Sequence, residues 1–197
     1  CNNNLLWENI EENLNKDWNW KYISRLDCIT WDIVMKNPNI KWDFSELSLN
    51  RNITWDIVKN NRQYPWNFSN LSMNINITID IILDNLKEKW DMYNFSKNKN
   101  VTNKIVEDNI HLNWSFSILC LNDNITFDLI KKFPDKNWSI RNLSKNKNIT
   151  MEIINENPNY DWDFDYLSQN QSISIKDVIE NINEDWNFAS LSENKNI

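Results

Sequence analysis

The ten residues 52–61 read NITWDIVKNN, and near copies stand 24 residues to either side: CITWDIVMKN at 28–37 and NITIDIILDN at 76–85. With Thr54 as marker, the same position holds Thr30, Thr78, Thr102, Thr126, Thr150 and Ser174, with Leu6 in the first copy. Twelve residues after each marker comes a tryptophan: Trp18, Trp42, Trp66, Trp90, Trp114, Trp138, Trp162 and Trp186. Repetition at a fixed short period is the signature of a stacked array of one supersecondary unit. The expected organisation is a leader over 1–5 and a single array over 6–197, in repeats 6–29, 30–53, 54–77, 78–101, 102–125, 126–149, 150–173 and 174–197.

Each repeat contains two helix starts. In the first, Thr54 is the N-cap, Asp56 places an acid in the first turn, and Ile53 before the cap matches Val58 at the fourth helical position. In the second, Asn67 caps, and Trp66 before it matches Leu71. The first helix is expected to run from Trp55 to about Asn61, a stop that other copies mark with Asn37-Pro38 and Asn157-Pro158. The second is expected from Phe68 to about Met73, ahead of Asn74-Ile75-Asn76. Helices this short are marginal alone in water, so the repeats must be held by stacking. The predicted fold is all-α: a right-handed α-solenoid of eight helix-turn-helix repeats, with the eight Trp as its recurring core and about half or more of the chain helical. The N-caps are Thr30, Thr54, Thr78, Thr102, Thr126, Thr150 and Ser174.

Asparagine supplies 39 of the 197 residues and glycine none, so any turn with positive φ must use Asn. Asn also recurs in two columns, Asn50, Asn74, Asn98, Asn122, Asn146, Asn170 and Asn194, and two residues later Asn52, Asn76, Asn100, Asn124, Asn148 and Asn196. Stacked at the repeat spacing, these amides are expected to bond their own turn and the adjacent one as a ladder.

A unit reading LSxNxNITWDIVxxNPxxxWDF, as over Leu47 to Phe68 and its variants, resembles the Trp- and Asn-rich tandem repeats of proteins from giant DNA viruses of the mimivirus type. The resemblance spans essentially the whole chain. It implies a viral or A+T-rich source, a helical repeat fold and no assigned enzymatic activity, with the protein inside the host cytoplasm or the virion, and it supplies no catalytic residues to carry over. Leu6, Asn103 and Asp177 depart from the pattern, so their repeats are expected to pack less regularly.

Composition narrows function. A net charge of −7 disfavours phosphate backbones and anionic surfaces, and no apolar run is long enough to cross a membrane. His111 stands alone, and Cys1, Cys28 and Cys120 have no metal spacing, so no cofactor and no catalytic set is expected. Asp161, Asp163 and Asp165 read as a capping group. The N-x-S/T triplets, such as Asn142-Leu-Ser, are spelled by the repeat itself. The turn residues Asp27, Arg51, Ile75, Lys99, Asp123, Lys147, Gln171 and Lys195, with Lys97 and Lys145 beside them, put basic residues on alternate repeats; they read as solvated turns pairing with nearby acids, the alternative being a shallow basic stripe with a two-repeat rhythm.

What remains is a non-enzymatic scaffold for a protein partner. Its interaction surface is expected where letters vary on the regular frame: Tyr93, Glu107, Asp108, Arg141 and Tyr166. The alternatives are end-to-end stacking into a fibre or virion-associated assembly, and single-stranded nucleic-acid binding, which the charge opposes. The absence of polar end repeats favours a piece of a longer array.

Overall fold

The computed structural model describes residues 5–197. Sixteen short α-helices, and no strand among the described residues, form an all-α repeat solenoid with two helices per repeat. The first helices of the repeats are α1 (Trp7–Glu11), α3 (Trp31–Lys36), α5 (Trp55–Asn60), α7 (Ile79–Asp84), α9 (Asn103–Asp108), α11 (Phe127–Lys132), α13 (Met151–Glu156) and α15 (Ile175–Glu180). The second helices are α2 (Trp20–Ser24), α4 (Phe44–Leu47), α6 (Phe68–Leu71), α8 (Met92–Phe95), α10 (Phe116–Leu119), α12 (Ile140–Ser144), α14 (Phe164–Leu167) and α16 (Phe188–Glu193). The chain divides into two compact units, one running to Asn100 and one from Val101. Of the expected leader over 1–5, only Leu5 is described; residues 1–4, Cys1 among them, lie outside the described residues.

Capping accounts for the starts. The Thr30, Thr54, Thr78, Thr102 and Thr150 hydroxyls each accept the backbone N–H three residues on, at 3.4 Å, long bonds at the weak end of the range. Ser174 does better than the pattern, because Asp177 returns a 2.8 Å bond to the Ser174 N–H and completes a capping box. Thr126 departs from expectation. It sits at the N-cap backbone position but makes no side-chain cap bond. Its hydroxyl instead accepts from Asn103 Nδ2 at 2.7 Å, and its N–H donates to Asn103 Oδ1. The irregular Asn103 has therefore captured the cap of the following repeat.

The first helices end where expected, and the terminal Asn closes them by a side-chain bond. Asn37, Asn61, Asn85, Asn109, Asn157 and Asn181 each donate Nδ2 to the carbonyl four residues back, one of the carbonyls a helix C-terminus leaves unpaired. The carbonyl of the terminal residue itself is taken by the repeat's Trp. All eight indole N–H groups donate to the carbonyl five residues earlier, as Trp66 does to Asn61 at 2.9 Å and Trp138 to Phe133 at 2.8 Å.

That bond explains why the Trp column is a rim of the core. Trp66, Trp114, Trp162 and Trp186 are buried, whereas Trp18, Trp42, Trp90 and Trp138 are half-buried. The fully buried centre is aliphatic: Ile53, Leu71, Ile77 and Ile82 in the first unit, Leu119, Ile125 and Leu129 in the second, with Phe95 the largest side chain. Each tryptophan is held at the rim by its N–H, and the Trp66 and Trp90 rings cover the start of both helices in the preceding repeat. Trp66 lies 5.5 Å from Trp31 and 5.2 Å from Phe44, and Trp90 lies 5.4 Å from Trp55 and 5.1 Å from Phe68. In the second unit Trp162 meets Phe127, and Trp186 meets Phe164 edge-on at 4.9 Å. Tilted and edge-on geometries at these spacings are the favourable ones.

Two further expectations are corrected. The second helices are shorter than Phe68–Met73: α6 stops at Leu71, because Ser72 turns its hydroxyl back to the Phe68 carbonyl and Asn74 N–H closes a tight turn on Leu71. With turns this long, helix covers less than half of the described residues rather than half or more. No described residue has positive φ. The many Asn residues serve the turns through their side-chain amides and are not used for left-handed backbone.

Candidate functional site: the ladder edge and the outer face of the second helices

The turns after α4, α6, α8, α12, α14 and α16 carry the expected ladder. Asn74 is 1% exposed. Its Nδ2 reaches the carbonyls of Ser48 at 2.9 Å, Asn50 at 2.9 Å and Ile53 at 3.3 Å in the preceding repeat, while its Oδ1 accepts the N–H of Asn76. Asn76 Nδ2 in turn reaches Arg51 O at 2.7 Å and Ile53 O at 3.0 Å. Asn50 and Asn98 repeat this in the first unit, Asn146 and Asn170 in the second. At Ser172, which replaces the second Asn, the hydroxyl reaches Lys147 O. The donor always belongs to the later repeat. In the first repeat the two ladder positions hold Leu26 and Cys28.

A serine column runs beside the ladder and was not anticipated. The Ser24, Ser48 and Ser72 hydroxyls each donate to the carbonyl four residues back and accept the backbone N–H of Asp43, Asn67 and Asp91 in the next repeat at 2.9 to 3.0 Å. Ser144 and Ser168 do the same for Asp163 and Asn187. A buried hydroxyl that donates and accepts ties two repeats without an unpaired atom. Among the described residues no buried side-chain nitrogen or oxygen lacks a partner. The signal was the recurrence of Ser at a 24-residue spacing, broken by Cys120. Cys120 is fully buried, and burial pushes its thiol up to about 11.

A third set of bonds runs along the outer face of the second helices. Asn70 Nδ2 donates to Ser45 O and Oγ, Asn94 Nδ2 to Ser69 O and Oγ, and Asn142 Nδ2 to Ser117. Asp91 joins through the Ser69 hydroxyl at 2.7 Å. Partial burial acts to raise the Asp91 carboxyl, but the bonds from Ser69 and the Asn94 and Tyr93 backbone, with the Lys97 charge, outweigh it and hold Asp91 below the usual carboxylate value.

The five residues expected to form an interaction surface separate into groups. Tyr93 lies in the first unit on α8, half exposed, with Lys97 Nζ 4.3 Å above its ring. Arg141 and Tyr166 come together in the second unit: the guanidinium lies 4.8 Å over the Tyr166 ring and pairs with Asp163 at 3.3 Å, and Lys145 approaches the same ring at 5.6 Å. Glu107 and Asp108 belong to α9 and pair instead with Lys132 and Lys104, at 2.7 and 2.6 Å. Asp163, as expected, caps α14. The turn cations pair with acids one repeat earlier, Arg51 with Asp27 at 3.6 Å and Lys147 with Asp123 at 3.0 Å.

A cavity of about 820 Å³ opens at the first repeat, lined by Leu5, Leu6, Leu26 and Cys28 and edged by Tyr22 and Arg25. Among the described residues no group of three His, Cys, Asp or Glu is placed to hold a metal ion, and no helix is long and apolar enough to cross a membrane. Compared with profiles of protein families, with curated proteins and with solved structures, the chain matches none.

Proposed function

We propose that the chain is a non-enzymatic repeat scaffold that binds a protein partner along the outer face of its second helices. The observation that carries this reading is a division of labour. The residues that recur, the ladder asparagines, the serines, the capping threonines and the tryptophans, are occupied in internal bonds. Among the residues that change from repeat to repeat on this face, Tyr93 and Arg141 are exposed, and Tyr166 is half-buried beneath the Arg141 guanidinium. Tyr and Arg are the side chains most able to anchor an interface. The resemblance to giant-virus arrays supports a role inside an infected cell. The test is capture from infected-cell lysate on the immobilised protein, beside Tyr93→Ser, Arg141→Ser and Tyr166→Ser. Proteins retained by the native chain and lost from these variants support the reading; a bound set that none of the three alters overturns it.

The rival reading, copies stacked end to end as a fibre or assembly protein, draws on Ile175, Ile179 and Phe188, which are exposed in the eighth repeat at 50%, 62% and 61%. It is weakened at the other partner, because Leu26 and Cys28 carry no amide to donate into a neighbouring ladder. Sedimentation across a concentration series separates the two readings: concentration-dependent polymers favour the fibre.

A further inference from the structure

The turn joining the first and second helix of each repeat forms another edge, and its charge reverses along the chain. In the first unit these turns stack directly: Arg62 pairs with Glu88 of the next repeat at 2.7 Å, and the Tyr64 hydroxyl meets the Met35 sulfur of the repeat before at 3.6 Å. In repeats two to four the turns cover residues 35–41, 59–65 and 83–89. They hold six cations, Lys36, Lys41, Lys59, Arg62, Lys87 and Lys89, against two acids, Asp84 and Glu88, a net of +4. Glu88 is engaged by Arg62, whereas the five lysines are exposed and, among the described residues, none is paired with an acid. Beside Lys87 stands Leu86, at 66% the most exposed large apolar side chain among the described residues.

The same turns of repeats seven and eight, residues 155–161 and 179–185, hold Glu156, Asp161, Glu180, Glu184 and Asp185 and no cation, a net of −5. Of these acids only Glu180 has an ion pair, with Lys176 at 3.7 Å, exposed on both sides and of the weak class. Ile182, 53% exposed, takes the position in its turn that Leu86 takes in the fourth repeat. That position is exposed in seven of the eight repeats, so the exposure of Ile182 belongs to the turn and not to the last repeat. Leu14 shares the column, but Lys16 interrupts the acids beside it.

We propose that the Leu86 turn of one copy docks on the Ile182 turn of a second copy, with the two aliphatic side chains in contact and Lys87 and Lys89 paired with Glu184 and Asp185 around them. The chain itself supplies the occupant of its basic edge: an apolar residue at the matching position, set among charges of opposite sign. The net charge of −7 repels a second copy at long range. At about 0.1 M salt, however, charges more than about 10 Å apart are largely screened, and the local match decides. Charge also selects the pairing, since two basic or two acidic turns repel. The contact is heterologous, joining unlike surfaces of the two copies. It uses neither the outer face of the second helices nor the end-to-end stacking of the rival reading, and goes beyond both.

The test is sedimentation velocity on the full chain over a concentration series, at about 0.1 M and about 0.5 M salt. The expected result is self-association that is at least about tenfold weaker at the higher salt. It should weaken as much in Leu86→Ser, Ile182→Ser, Lys87→Glu/Lys89→Glu and Glu184→Lys/Asp185→Lys, with matching circular dichroism spectra, and stay unchanged in Leu14→Ser. The two charge-reversed variants, each monomeric alone, should form complexes when mixed, because the native Leu86 turn of one then meets the native Ile182 turn of the other. A folding defect would not be rescued by mixing. A monomer at every concentration, association indifferent to salt, or a mixture that stays monomeric overturns the proposal. So does association that is lost in Leu14→Ser but kept in Ile182→Ser. Association lost in Ile175→Ser/Phe188→Ser but unmoved by both charge reversals is end-to-end stacking, and also overturns it.

Discussion

Replacing Asn74 by Ala removes one rung of the ladder, and the cost can be worked from its bonds. Of the three carbonyls that Nδ2 reaches, Asn50 O keeps the N–H of Ile53, and Ile53 O keeps the amide of Asn76. Ser48 O and the Asn76 N–H lose the partner that Asn74 supplied. The buried Ser48 O left unpaired costs about 1 to 3 kcal/mol and the half-buried Asn76 N–H about 1 kcal/mol, so Asn74→Ala should cost about 2 to 4 kcal/mol, a large share of the stability of a small domain. Asn76→Ala removes an amide at a half-buried site, where water can replace it, and should cost about 1 kcal/mol. Asn74→Asp keeps the acceptor for Asn76 but points a carboxylate oxygen at three carbonyls. Its folded carboxyl should titrate above the unfolded value, so the variant's stability holds below about pH 4 and falls as pH rises through the folded value. The assay is urea unfolding followed by circular dichroism, with tryptophan fluorescence as a second probe of whether the transition is two-state. A loss for Asn74→Ala no larger than for Asn76→Ala would refute the assignment of the ladder as the main tie between repeats.

Three more outcomes follow from single bonds. Trp66→Phe keeps a ring against Trp31 and Phe44 but leaves the Asn61 carbonyl with only the Tyr64 N–H, and the loss of one hydrogen bond should lower unfolding stability by about 1 kcal/mol; a change below about 0.5 kcal/mol, roughly the noise between surface substitutions, would show that the indole N–H is not needed. Asp91 sits below its ordinary value, so the stability it contributes is present above the unfolded value of about 4 and is lost as pH falls through the folded one. The difference in stability between the native chain and Asp91→Ser should therefore shrink between pH 6 and pH 3, and an unchanged difference contradicts the assignment. With Cys1 and Cys28 replaced by Ser, a thiol reagent at pH 8 should modify Cys120 only on the timescale of unfolding, because the thiol is buried and pushed up to about 11; prompt modification of the folded chain is the contrary result.

Much of this architecture was legible because the repeat averages out accident. Thr54, Asn67 and Asn74 each say little alone, yet seven or eight copies at one spacing reduce the choices to caps and turns that stack. What escaped reading were atoms with two roles. Ser72 looked like the tail of a helix, but its hydroxyl both ends α6 and receives the Asp91 N–H from the next repeat, a contact across 19 residues that no local pattern states. The indole N–H of Trp66 was hidden behind the ring's hydrophobic role, although its bond to Asn61 is what keeps the ring at the rim. Thr126 was misassigned as a capping hydroxyl because the competitor, Asn103, lies in the preceding repeat. At the candidate surface, the sequence identified variable letters but not their grouping: Arg141 and Tyr166 meet because the same face of successive second helices stacks, while Glu107 and Asp108 belong to a first helix.

The direction of the ladder has a consequence for synthesis. Asn50 reaches back to Ser24 and Asn74 to Ser48, while Asn170 reaches back to Ser144. Within each unit a repeat leaving the ribosome brings the donors, and the acceptors it needs are on chain already made. At about 5 to 20 residues per second, 24 residues emerge every 1 to 5 s, long against the microseconds in which a short helix forms. Such an array can be laid down vectorially, each course set on the one before, with no wait for distant sequence.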